Sequence, residues 1–104
     1  MKPPESTPQT RKRAAKIFRL AADLLSRKHT DGGCYALSSV MKSKRVSIDD
    51  ICFTRDYFKF LYAPWGHKCG GYWWGNPTLV QYGGPDDREA RTLALLLAAE
   101  SLNP

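Results

Sequence analysis

His67, Lys68 and Cys69 stand side by side in Gly66-His67-Lys68-Cys69-Gly70-Gly71, and they are the residues of this chain that could carry covalent chemistry. A cysteine beside a histidine is the pairing of nucleophilic catalysis. Sequence neighbours seldom aim their side chains for proton transfer, and no orienting acid or oxyanion motif accompanies these two. The same residue types suit zinc, since Cys34, Cys52 and Cys69 with His67 or His29 would supply four donors. No C-x2-C pair is present, so buried structural thiols and no metal site are the expectation. An odd count of three cysteines at wide spacing argues against a disulfide framework and for a reducing compartment. Gly70-Gly71 and Gly83-Gly84 lack the spacing and the following Lys-Ser/Thr of a phosphate-binding loop. The acids Asp49-Asp50 and Asp86-Asp87-Glu89 fall at predicted helix starts, where the helix dipole accounts for them. The residues therefore point away from an enzyme and require no cofactor.

Binding is the alternative, and two segments could provide it. Ala63–Tyr82 holds all three tryptophans, two of five tyrosines and four of eight glycines. Rings carry most of the burial or stacking energy available to a small protein, and glycine lets a backbone approach a partner. Trp73 and Trp74 are expected to close the core against the last helix, whereas Trp65, between Pro64 and Gly66, is expected to be exposed. Trp65, His67, Lys68 and Tyr72 are thus candidate partner-binding residues. The second segment is basic. Residues 1–28 hold eight Lys and Arg against Glu5 and Asp23, while the rest of the chain is balanced, so the whole net charge of +6 lies at the N-terminal end. Arg11, Lys12, Arg13, Lys16 and Arg19 are candidates for meeting an acidic partner, with Lys42, Lys44 and Arg45 as an alternative anion-binding set.

These residues need elements to position them. At 104 residues the chain is expected to form one domain, residues 10–104, preceded by a Pro-rich flexible arm over residues 1–9. From Thr10, read as an N-cap, the apolar residues Ala14, Ile17, Phe18, Ala21, Leu24 and Leu25 recur at helical spacing, with the basic residues largely off that face. Asp31-Gly32-Gly33 ends this helix. Cys34–Met41 predicts a second helix burying Cys34, Leu37, Val40 and Met41, followed by the basic connector Lys42–Arg45. Ser47 starts a third, aromatic-rich segment through Tyr62; Thr54 with Asp56 leaves open whether it is one helix or two. Tyr72–Trp74 and Thr78–Tyr82 are suited to a short β-hairpin. Asp86, with Glu89 as capping-box partner, opens the last helix, apolar on nearly all sides past Thr92 and so expected at the centre of the core. The fold class is mainly α, a single small domain of about four helices with an aromatic Gly-rich insertion. The apolar last helix is also suited to a homodimer. No run is long enough to span a membrane and no secretory signal opens the chain, so a cytoplasmic protein is expected.

Two stretches carry a family resemblance. Ala21-Ala22-Asp23-Leu24-Leu25 leading to Gly33-Cys34-Tyr35-Ala36-Leu37 resembles the opening of small accessory proteins encoded by bacteriophages and prophages. Trp73-Trp74 followed by Asp87–Glu100 resembles their closing part. The resemblance covers about half the chain and implies a phage-type protein acting in the bacterial host cell. Such proteins often inhibit host defences by binding, in the manner of anti-CRISPR inhibitors. It implies no catalytic residue. The expected function is stoichiometric counter-defence binding to a bacterial immune component, with capture of nucleic acid or a nucleotide signal as the alternative.

Overall fold

The computed structural model describes residues 2–27, 33–62 and 88–102, with the side chains of 33–35 and 88–90 left aside. They form four helices and, among the described residues, no strand: α1 Pro8–Arg27, α2 Gly33–Ser43, α3 Ile48–Tyr62 and α4 Arg88–Leu102. The protein is mainly α, as its periodicity predicts. The proposed hairpin, Trp65, Trp73, Trp74, His29 and Cys69 lie outside the described residues, as do Asp86 and the side chains of Cys34 and Glu89.

Helix α1 starts two residues before Thr10. Thr7 is the cap: its Oγ1 accepts the Thr10 N–H at 3.2 Å, and its carbonyl accepts the Arg11 N–H at 3.0 Å. Pro8 then occupies the first helical position, where its missing N–H costs nothing and its fixed φ suits the helix. Pro8 and Gln9 therefore belong to the helix rather than to an arm. The inner face buries Ala14, Ala15, Ile17, Phe18, Ala21, Ala22 and Leu25.

This helix, and not α4, is the hub. It packs against all three others, most extensively against α4. Ala94, Ala98 and Ala99 of α4 are wholly buried, so small residues on both helices allow a close approach. Apolar character alone made α4 look central, yet its Leu96 is 44 % exposed.

Ser47 caps α3 as its sequence predicts, accepting the Asp50 N–H at 3.2 Å. The helix then runs unbroken, because Thr54 is no second start. Its buried hydroxyl donates back to the Asp50 carbonyl at 2.7 Å, a bond that a continuing helix provides. Rings from α3 build the described core around Phe18. Phe18 stacks on Phe58 at 6.0 Å, Phe53 on Tyr57 at 5.7 Å, and Tyr62 tilts against Phe58 at 4.9 Å. Two hydroxyls tie α3 to α4: Tyr57 bonds Ser101 at 2.6 Å, and Tyr62 donates to the Ala94 carbonyl at 2.5 Å. Burial raises the Tyr62 phenol well above its ordinary pKa, and the neighbouring Tyr57 adds to the effect. Cys52 corrects the expectation of buried thiols, since it sits exposed on the outer face of α3.

Candidate binding site

The basic residues of α1 divide by what their neighbours offer. Lys12, Lys16 and Arg19 are exposed, at helical spacings of four and three that put them along one side of α1. Arg11 is partly buried and its Nη1 donates to Ser6 at 3.1 Å, which ties the chain ahead of Thr7 to the first turn. Arg13 is engaged across the fold: its Nε donates to one Asp50 oxygen at 2.7 Å and its Nη2 to the other at 3.2 Å. This two-pronged bond, with the carboxylate charge behind it, raises the Arg13 pKa against a small opposing effect of burial. The Asp50 side chain is only 11 % exposed. Arg13 is thus a strut between α1 and α3, and its charge is already answered.

The corner between α2 and α3 places the second basic set. Helix α2 continues through Lys42 and Ser43, so those two residues are helical rather than part of a connector. The helix then closes with the Arg45 N–H on the Lys42 carbonyl at 3.3 Å and the Val46 N–H on the Met41 carbonyl at 3.1 Å. That pattern requires a left-handed residue at position 45, and glycine is the usual occupant. Here it is Arg45, at φ 52°. Val46 then folds back onto the core.

Folding brings the two sets together. An open groove of about 490 Å³ between α1 and this corner has Lys16, Lys44 and Arg45 on its walls and Ile17, Leu20 and Val46 on its floor; Arg13 and Asp50 stand together at one side. A second concavity of about 480 Å³ continues along α1 past Lys12, Lys16 and Arg19. On the far side of the Arg13–Asp50 strut the character reverses, to Glu5, Asp49 and a set of hydroxyls including Ser6, Thr7 and Ser47. Lys42 is exposed on the last turn of α2 and lines none of these concavities. Trp65, His67, Lys68 and Tyr72 lie outside the described residues.

Three contributors escaped the sequence reading. Asp50 reads in the sequence as a helix-start acid, and nothing local marks a partner 37 residues away. Val46 is a lone apolar residue after a basic run. Leu20 follows Ile17 by three, a spacing that does signal a shared face.

Among the described residues, no group of three His, Cys, Asp or Glu side chains could hold a metal, and no helix is long and apolar enough to cross a membrane. No family model, curated protein or solved structure matches the chain.

Proposed function

We propose that this is a non-enzymatic, phage-type binding protein that inhibits a bacterial immune component by stoichiometric contact with an anionic surface of that component. One observation supports the reading above others: two basic segments distant in sequence line one groove, and its single carboxylate, Asp50, is already held by Arg13. Lys16, Lys44 and Arg45 make no ion pair among the described residues, so their field is available to a partner. The sequence resemblance of Ala21–Leu25 with Gly33–Leu37, and of Trp73-Trp74 with Asp87–Glu100, to phage accessory proteins suggests the setting, the cytoplasm of a bacterial host. Pull-down from bacterial lysate with mass spectrometry tests this. A defence protein should be recovered, and the triple change Lys12→Glu, Lys16→Glu, Lys44→Glu should release it. Recovery of none, with no protection of phage in infection assays, would sink the proposal.

A second reading has its own support in the run of Lys12, Lys16 and Arg19 along α1, which suits a polyanion such as nucleic acid or a nucleotide. Titration with short oligonucleotides and cyclic nucleotides at low and moderate salt tests it. Unchanged mobility and fluorescence would end that reading. Homodimerisation through α4, where Leu96 is exposed, is checked by sedimentation.

A further inference from the structure

We infer that the groove between α1 and the α2–α3 corner takes an acidic amphipathic helix of a partner protein. An aliphatic side chain of that helix sits on Ile17, Leu20 and Val46, and its flanking carboxylates meet Lys16, Lys44 and Arg45. This deepens the protein-partner reading above and rests on it.

The groove's chemistry separates a polypeptide from a phosphate-bearing ligand. Among the described residues its floor is aliphatic, with no ring to stack a base, whereas single-stranded nucleic acid binding leans on aromatic platforms. Phosphate sites at helix starts use free backbone N–H groups. Here the Asp50 N–H of the α3 start is already taken by Ser47 Oγ. An aliphatic floor with basic walls instead matches the face of an acidic amphipathic helix, in which apolar anchors recur every three to four residues between carboxylates.

Arg45 gives independent support. A left-handed backbone favours glycine, and the presence of arginine there instead accords with a use for its side chain. Its guanidinium has no ion pair among the described residues, and it stands on the groove wall.

Fluorescence polarisation with a labelled 18-residue helical peptide tests the assignment, the peptide carrying leucines on one face and glutamates elsewhere. The comparison probes are the same composition with the leucines dispersed, and a labelled thymidine oligonucleotide of equal charge. The patterned peptide is expected to bind at least about fivefold more tightly than either. Lys44→Glu should weaken it about tenfold, and Arg45→Gly about fivefold although that variant melts no lower than the parent. Lys59→Glu, on the exposed side of α3 away from the groove, should leave it within about twofold. Amide shifts should centre on Ile17, Leu20 and Val46. Absence of peptide binding, equal binding of the dispersed peptide, preference for the oligonucleotide, or an Arg45→Gly variant with parental affinity would each overturn the inference. The two levels fail separately. Peptide binding without capture of a defence protein removes the immune target and keeps the groove. A captured defence protein that Lys44→Glu and Arg45→Gly do not release removes the groove and keeps the target.

Discussion

The two sides of α1 obey different rules. Its inner side fits alanines against α4 and Phe18 against the rings of α3, so each position is set by shape. Its outer side carries Lys12, Lys16 and Arg19 at exposed positions, and the Arg13–Asp50 pair ties it across to α3. One face holds the fold and the other presents charge. Substitutions that alter stability and substitutions that alter binding should therefore fall into separate sets, with Arg13 and Asp50 at the border.

Phe18→Ala is the strongest challenge to that division. Phe18 is fully buried against Tyr57 and Phe58, so truncation should cost about 3–5 kcal/mol, read from urea unfolding, and threaten folding altogether. A loss below about 1 kcal/mol would mean the inner face is not close-packed.

Asp50→Asn tests the border. It removes the charge that two Arg13 N–H groups address on a largely buried carboxylate, and should lower the melting temperature. The groove gains positive charge in the same variant, so affinity for an anionic probe should rise while the melting temperature falls. Movement of both in one direction would erase the proposed separation.

Tyr62→Phe sharpens the inner side through pH. The buried phenol has a raised pKa, so above about pH 10 the unfolded chain releases this proton while the native chain keeps it. The native state then binds more protons, and its stability falls as pH rises. Between pH 8 and about 11 the parent should lose more stability than the Phe variant. At neutral pH the variant should lose about 1 kcal/mol with the bond to the Ala94 carbonyl. Equal alkaline losses in the two proteins would show that Tyr62 is not the group responsible.

Arg45→Gly has the smallest effect and the opposite sign. Relief of the left-handed strain should raise stability by about 0.5–1 kcal/mol in thermal or urea melts. A destabilised variant would mean that the arginine side chain supports the fold.

Legibility in the sequence followed the range of each interaction. The helical periods of α1 and α2, the Ser47 cap and the aromatic character of α3 are local properties, and all are readable. The start of α1 slipped because Thr7-Pro8 and Thr10 compete as caps, and proline at the first helical position decides between them. The unbroken course of α3 turned on one hydroxyl bond at Thr54. The groove is half legible: both basic sets stand out in the sequence, but not their position on one groove. Nothing in either segment reveals that Lys44 and Arg45 share a groove with Lys16, or that Arg13 is held by Asp50. Trp65, His67, Lys68 and Tyr72 stand as proposals from residue type alone.

The extensive seam between α1 and α4 joins segments some 80 residues apart, an unusually non-local contact for helices. Helical bundles fold quickly when their contacts are close in sequence, and more slowly when the decisive ones are not. During synthesis α1 and α2 are able to meet early, but the alanine face of α1 lacks α4 until that helix has been made. The emerging chain thus carries that face without its α4 partner while the 60 residues between the two helices are made.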